Sequence, residues 1–128
     1  MSMQGQINNS STRFLRAYRV KRGEVWTVSG GASYRGKLRP AVIVQEDRFD
    51  QTSSIMLCAF TTDPTDAPLL RMLIEPTDRN GLTSSSRLMI DKLTTVPKAR
   101  LGKRIGKLND EDTVRLNRAL TVFLGLAR

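Results

Sequence analysis

The chain has 128 residues, 39% of them apolar, and its 21 lysine and arginine side chains against 12 acidic ones give a formal net charge of +9. A chain of this length buries one ordinary core, so a second domain is excluded. The chain contains no histidine, which excludes a Ser-His-Asp triad and a histidine metal site, and its single cysteine, Cys58, excludes an internal disulfide and is expected in the core.

The positive charge predicts a polyanionic partner. Nucleic acid is the first candidate, followed by an anionic membrane surface and an acidic protein. No apolar run is long enough to span a bilayer and the N-terminus lacks the apolar core of a signal peptide, so a cytoplasmic protein is expected. Residues 1–19 are polar and aperiodic before they turn basic, which predicts a flexible basic tail ahead of a folded domain at 20–128.

The domain begins with a predicted strand over 20–28, in which Gly23 indicates a bulge or a close backbone approach. The loop that follows, 29–38, contains three glycines, two cations and Tyr34. It lacks the helix-opening spacing of a nucleotide phosphate loop. A mobile basic loop with an aromatic ring suits single-stranded nucleic acid, and it is equally compatible with an ordinary hairpin loop.

The run from Arg39 to Gln45 predicts a strand covered on both faces, because five apolar residues in succession, three of them Val or Ile, are too few for a buried helix. Pro40 cannot donate a hydrogen bond to a neighbouring strand. We therefore expect the strand to begin at Pro40, with Arg39 just outside it. Taken alone, Arg39 is also compatible with an ordinary solvated residue at a strand end.

The remaining chain predicts further strands at 53–60, 69–74, 84–93 and 104–108, with a turn at 77–83 and a short helical turn at 96–101. Thr61 and Thr62 follow the first of these strands, where β-branching alone would explain them. A helix is predicted over 110–126, capped by Asn109. Its apolar stripe, expected to pack on the sheet, comprises Leu116, Ala119, Leu120, Phe123 and Ala127.

These elements predict a mainly β domain with a C-terminal α-helix. About six strands in so short a chain favour a small curled antiparallel barrel over a flat sheet, because closure hides the strand edges.

An ordered set of segments runs from about Lys21 to the C-terminus. It comprises Lys21-Arg22-Gly23-Glu24-Val25-Trp26, the glycine-containing loop, Arg39-Pro40-Ala41-Val42-Ile43-Val44-Gln45, the strand ending in Thr61-Thr62, Asn80-Gly81-Leu82, Asp91-Lys92 with Thr94-Thr95, and Ile105-Gly106-Lys107-Leu108. The set resembles the MazF/PemK-type toxins of bacterial type II toxin–antitoxin systems. The resemblance implies an SH3-like antiparallel barrel of the MazF/PemK/CcdB type and a homodimer.

The resemblance also implies an endoribonuclease that needs no metal or cofactor and cuts single-stranded mRNA at short sequence motifs. The 2′-hydroxyl attacks the adjacent phosphorus, leaving a 2′,3′-cyclic phosphate and a 5′-hydroxyl. The expected protein partner is an antitoxin whose acidic, disordered C-terminal segment folds across the RNA groove. A cationic surface agrees with both an RNA substrate and an acidic inhibitor.

By the same resemblance, Arg39 and Thr61 occupy the catalytic positions. Arg39 would stabilise the charge that develops on the phosphoryl oxygens, with a role in proton transfer left open, and Thr61 would contribute a hydroxyl donor. The residues expected to contact the substrate are Ser33, Tyr34, Arg35, Lys37, Thr62, Arg87 and Asp91.

Some members of the family use a different set, a loop histidine, an arginine and an aspartate two residues after it. Those positions are Ser33, Met89 and Asp91 here, so only the aspartate is kept and that version does not transfer as a whole. Arg87 shares a strand face with Met89 by two-residue alternation and would compensate only if the local register differed. Two other functions stay open, a CcdB-like poison of DNA gyrase and a non-catalytic barrel that binds RNA or an antitoxin.

Overall fold

The computed structural model describes residues 19–30 and 37–127. The predicted tail up to residue 18 and three candidate loop residues, Ser33, Tyr34 and Arg35, lie outside the described residues. The strands and the helix in the described ranges are β1 Glu24–Ser29, β2 Leu38–Ile43, β3 Ser54–Thr61, β4 Arg71–Ile74, β5 Ser86–Met89, β6 Thr94–Pro97, β7 Leu101–Lys107 and α1 Asp110–Phe123.

The strands form one antiparallel sheet in the order β4-β5-β3-β2-β1-β7, with β6 paired to β3 beside this path. Strand β3 is the central element, since it pairs with β2 along one side and with β6 and then β5 along the other. The predicted fold class, mainly antiparallel β with one C-terminal helix, is confirmed. Among the described residues, no helix is long and apolar enough to cross a membrane.

The turn after β4 joins the two ends of the sheet. Lys107 of β7 donates its backbone N–H to the carbonyl of Arg79 in this turn at 2.8 Å. A Cβ on Gly106 would lie 2.3 Å from the same carbonyl oxygen, so only glycine permits the approach. Gly81, with a φ of +72°, is packed against the backbone of Ile105. The sheet is therefore barrel-like, but its end strands β4 and β7 do not pair, and the turn docked on β7 bridges them.

The sheet carries a hydrophobic core on each face. The first lies under α1 and includes Val25, Val42, Cys58, Phe60, Met72, Ile74, Leu88, Leu116 and Leu120. The second lies on the opposite face and includes Val20, Trp26, Val28, Ala41, Ile43, Ile55, Leu57, Val96 and Leu101. Because Val42 and Ile43 belong to different cores, the prediction that β2 is buried on both faces is confirmed.

Helix α1 begins as predicted, with the Asn109 side chain accepting a hydrogen bond from the backbone N–H of Asp112 at 2.8 Å. The predicted end at residue 126 is wrong, because Gly125 adopts a φ of +75° and the helix stops at Phe123. A bond from the backbone N–H of Leu126 to the carbonyl of Thr121, at 2.9 Å, closes the C-terminus.

The predicted apolar stripe of α1 holds only in part. Its first members, Leu116 and Leu120, are buried and Ala119 packs against them. Phe123 is 43% exposed and Ala127 is exposed, so both are wrongly predicted as core. Both come after Leu120, the last buried residue of the helix.

Strand β2 begins at Leu38 and contains Arg39, so the predicted start at Pro40 is wrong. Over residues 38–40 the strand pairs with β1, whereas its pairing with β3 starts only at Ala41. Pro40 therefore lies where β2 has one neighbour and needs no N–H on its other side.

Two further local predictions, the strand over 84–93 and the helical turn over 96–101, are corrected. The predicted strand 84–93 is reduced to β5, because a 3-10 turn over Ile90–Lys92 follows it and the Ile90 N–H binds the Leu70 carbonyl at 2.9 Å. The predicted helical turn at 96–101 overlaps strand β6 and a 3-10 turn over Lys98–Arg100. Gly23 has a φ of +88° in the turn before β1, and the predicted close backbone approach is confirmed there, since its N–H donates to the Ile43 carbonyl at 2.8 Å and its carbonyl accepts from the Leu108 N–H at 2.9 Å.

Candidate functional site

One face of the sheet, at the β4-β5-β3 end, presents cationic and hydroxyl side chains. Residues directly opposite each other in an antiparallel sheet point to the same face. Thr61 pairs with Arg87, Arg87 pairs with Leu73, and Arg71 pairs with Met89. Their sequence neighbours Phe60, Met72 and Leu88 point the other way, into the core under α1. We call the surface formed by Arg39, Thr61, Arg71, Leu73 and Arg87 the open face.

Arg39 joins the open face from β2. The register between β2 and β3 pairs Ala41 with Ala59 as its last pair. Arg39 and Thr61 each lie two residues beyond that last pair, and the alternation of side chains along β2 and β3 puts both on the face of Ala41. Arg39 is exposed and Thr61 is half-buried. The two residues predicted to be catalytic thus share one corner of the sheet.

Local hydrogen bonds hold the Thr61 side chain. Its Oγ1 accepts from the backbone N–H of Asp63 at 3.2 Å. The Asp63 carboxylate in turn accepts from the backbone N–H and the hydroxyl of Thr65, at 3.0 and 2.8 Å. A threonine hydroxyl carries one donor and two acceptor lone pairs. The Thr61 hydroxyl proton therefore remains able to donate outward.

The potential near the end of β3 is positive. The hydrogen bonds from Thr65 hold the pKa of the Asp63 carboxyl below its usual value, and the charges of Arg71 and Arg87 lower it further. Both arginines belong to the open face. Their field therefore reaches the loop that follows Thr61, where an anionic ligand would meet it.

Lys37 and Thr62 border the open face. Both are exposed, and the Gly30 N–H donates to the Lys37 carbonyl at 3.4 Å. That bond closes the base of the β1–β2 loop two residues from Arg39. Ser33, Tyr34 and Arg35 belong to the part of this loop outside the described residues, so their predicted contacts stay predictions.

Arg87 and Asp91 occupy different environments. Arg87 stands opposite Thr61, so it reaches the predicted catalytic corner without the register change considered above. Asp91, in the 3-10 turn after β5, forms an ion pair with Arg71. Arg71 is absent from the residues predicted from sequence, because nothing in its own segment reveals that β4 pairs with β5.

Cys58 lies outside this site. It is fully buried in the core under α1, and burial raises the pKa of its thiol to about 11. The thiol is therefore protonated at neutral pH and is not a nucleophile. Among residues 19–30 and 37–127, no three carboxylate or thiol side chains converge into a group that would hold a metal ion.

Comparison with known proteins gives consistent matches. Residues 21–124 match the family described as the PemK-like, MazF-like toxin of type II toxin–antitoxin systems. The chain is 53% identical over 108 residues to a probable endoribonuclease MazF of Mycolicibacterium smegmatis, covering 84% of this chain and 99% of that protein. It is 29% identical over 113 residues to the endoribonuclease EndoA of Bacillus subtilis, covering 84% and 96%.

A solved structure shares the architecture. It is an endoribonuclease in complex with its cognate antitoxin from a mycobacterial species, with a TM-score of 0.70 and 25% identity, over 85% of this chain and 98% of that one.

Proposed function

We propose that this chain is an endoribonuclease that cuts single-stranded mRNA in the cytoplasm at short sequence motifs. The chain belongs to the PemK-like and MazF-like toxins of type II toxin–antitoxin systems, as its ordered motifs predicted. The two curated relatives above are endoribonucleases by name. The observation that carries the proposal is that Arg39, Thr61 and Arg87 lie on one face of the sheet, with Thr61 and Arg87 directly paired.

The proposed reaction needs no metal. The 2′-hydroxyl attacks the adjacent phosphorus and displaces the 5′-oxygen of the next nucleotide, which leaves a 2′,3′-cyclic phosphate and a 5′-hydroxyl. Negative charge builds up on the phosphoryl oxygens as the new bond forms. A chain without histidine meets this charge with donors held in place before the reaction, which is the larger part of such catalysis.

Arg39 and Thr61 take the main roles. The Arg39 guanidinium offers a planar fork to two phosphoryl oxygens, and its pKa above about 12 favours charge stabilisation over proton transfer. Thr61 donates its hydroxyl proton while its oxygen stays bound to the Asp63 N–H. A guanidinium on a paired strand is held more firmly than one on a loop, which suits a phosphate site formed in advance.

Arg87, Lys37 and Thr62 extend the site along the RNA. Arg87 continues the row from Thr61 across the sheet, and Lys37 stands at the base of the loop that carries Ser33, Tyr34 and Arg35. Phosphate contacts of this kind position the strand, and the loop would read the bases. The cleavage motif would therefore depend on loop 30–37.

The proposed partners are an antitoxin and a second copy of the chain. The net charge of +9 favours an acidic antitoxin segment that lies across the open face and excludes RNA from it. The solved relative bound to its cognate antitoxin supports this. A homodimer is proposed from the family resemblance.

Incubating the purified protein with a long RNA in EDTA tests the function. Fragments with 5′-hydroxyl ends are expected. Intact RNA together with trapped gyrase–DNA adducts would support a gyrase poison, which needs neither Arg39 nor Thr61. Intact RNA that is bound with strong salt dependence would support a non-catalytic barrel.

A further inference from the structure

Arg71 is a third cation on the open face, beside Arg39 and Arg87, and has no part in the proposed reaction. It begins β4 and pairs with Met89, while Leu73, two residues on, pairs with Arg87. The row Thr61, Arg87, Leu73 crosses three strands. With strands about 4.8 Å apart and about 3.3 Å per residue, the Cα of Arg71 lies about 12 Å from that of Thr61. An arginine side chain spans much of that separation.

The Arg71 guanidinium is held in one orientation. Its Nη1 pairs with Oδ1 of Asp91 and also donates to the Leu70 carbonyl at 3.3 Å. The side chains of Arg71 and Asp91 are 16% and 28% exposed, so the pair is set into the surface yet still reached by solvent. The Ile90 N–H, bonded to the Leu70 carbonyl, fixes the turn that carries Asp91 against β4.

The guanidinium keeps donors for a ligand. Arginine carries five N–H donors in a planar fork. Within the described residues, Nε and Nη2 of Arg71 have no hydrogen-bond partner, since the two bonds above both use Nη1. The charge of Arg71 also acts on the end of β3, where it helps to lower the pKa of the Asp63 carboxyl. A fixed guanidinium with one donor edge available is suited to an anionic oxygen.

Asp91 is poorly suited to contact RNA itself. Its carboxylate is negatively charged, as the phosphates are, and its Oδ1 already pairs with Arg71. A carboxylate beside a nucleic-acid backbone repels it unless a cation stands between them. Its effect on the substrate would therefore pass through the guanidinium that it orients.

We propose that Arg71 binds a phosphate of the RNA next to the one that is cleaved, and that Asp91 is a positioning residue that acts only through Arg71. This inference rests on the proposed endoribonuclease function. Arg71 gives the site a further phosphate contact on β4, at the end of the sheet beyond Thr61 and Arg87. The substrate is thereby held at a phosphate other than the one that is cleaved.

The test uses Arg71→Ala and Arg71→Lys, with Arg118→Ala as the matched control, since Arg118 is exposed on α1 and α1 covers the opposite face. Binding is measured with a 2′-O-methyl oligonucleotide that spans a site cut by the wild type and cannot itself be cut. Arg71→Ala is expected to weaken binding about tenfold or more. The slope of log affinity against log salt should fall by about 0.7, the value for one phosphate contact on a single strand.

Arg71→Lys keeps the charge without the fork, so it should retain the salt slope and recover part of the affinity. Equal thermal unfolding midpoints for the variants would show that a change in affinity does not come from loss of folded protein. A smaller slope of log affinity against log salt would then report a lost phosphate contact. Affinity and slope unchanged in Arg71→Ala, as in Arg118→Ala, would overturn the inference while cleavage by the wild type still stands.

Asp91→Asn tests the positioning role. Alone, it should lower kcat/KM for RNA cleavage about tenfold, because the neutral amide holds the guanidinium more weakly than the carboxylate does. On the Arg71→Ala background it should cause no further loss. An equal loss on both backgrounds would show an independent role and overturn this part. A wild type that cuts no RNA would overturn the proposed function and this inference together.

Discussion

The two faces of the same strands contrast in chemistry although they alternate residue by residue. Phe60 and Leu88 are buried under α1, while their neighbours Thr61 and Arg87 point to the open face. The strand pleat thus lets one short segment supply both core and site. We expect substitutions on the open face to change cleavage and leave stability unaltered, and substitutions under α1 to do the reverse.

Arg39→Ala should show the largest effect on the open face. Loss of a donor that is held in place before the reaction typically lowers the rate about a hundredfold or more. Because Arg39 is exposed, the free energy of unfolding should stay nearly unchanged. Initial rates of RNA cleavage in EDTA, with urea unfolding of the same samples, check both parts. An unchanged rate would remove Arg39 from the catalytic role.

Leu88→Ala is the counterpart under α1. Leu88 is fully buried, so its truncation should lower the free energy of unfolding by about 2–5 kcal/mol. The cleavage rate per folded molecule should stay close to that of the wild type. Urea unfolding gives the first quantity, and rates measured where the variant is fully folded give the second. A large rate loss in the folded variant would mean that the two faces do not act separately.

Thr61→Val keeps the shape of the side chain and removes its hydroxyl. The rate should fall about tenfold to a hundredfold, since one hydrogen bond to a charged group is lost. Thr61→Ser retains the donor and should stay within a few-fold of the wild type. Single-turnover rates at saturating RNA compare the two variants. A Thr61→Val variant that keeps the wild-type rate would show that the hydroxyl has no part in the reaction.

Cys58 gives the smallest expected effect, confined to alkaline pH. Burial raises its pKa from 9.0 to about 11. A pKa raised by folding stabilises the native state fully below the unfolded value, and that stability is lost as the pH rises through the folded value. This contribution to stability is therefore lost between about pH 9 and pH 11. Below that range, at pH 8, the buried and protonated thiol should resist iodoacetamide until the protein unfolds. Rapid alkylation of folded protein at that pH, followed by mass spectrometry, would contradict its burial.

The sequence correctly predicted those elements whose own residues show a recognisable local pattern. The apolar runs of β2 and β3 and the cap at Asn109 are local features, and all three hold. Strand β6 was missed because its four residues, Thr94–Pro97, contain a proline and only one buried side chain. Its strand character comes from pairing with β3, which no local pattern reveals.

The residues of the candidate site also differ in whether a local pattern reveals them. Arg39 and Thr61 were predicted because motifs mark their positions, whereas Arg71 depends on the register between β4 and β5. Other motif residues are structural: the buried Asn80 side chain accepts bonds from the backbone N–H groups of Thr77 and Leu82, both at 3.0 Å. Asn80 thereby shapes the turn that bridges the two ends of the sheet.

The central claim is that the open face cleaves RNA through attack by the 2′-hydroxyl. Sequencing the 5′ ends of all fragments released from a defined RNA in EDTA tests it most directly. We expect ends that recur at one short sequence motif and carry a 5′-hydroxyl, so that they are ligated only after phosphorylation. Ends scattered without a motif, or ends bearing a 5′-phosphate, would contradict the account.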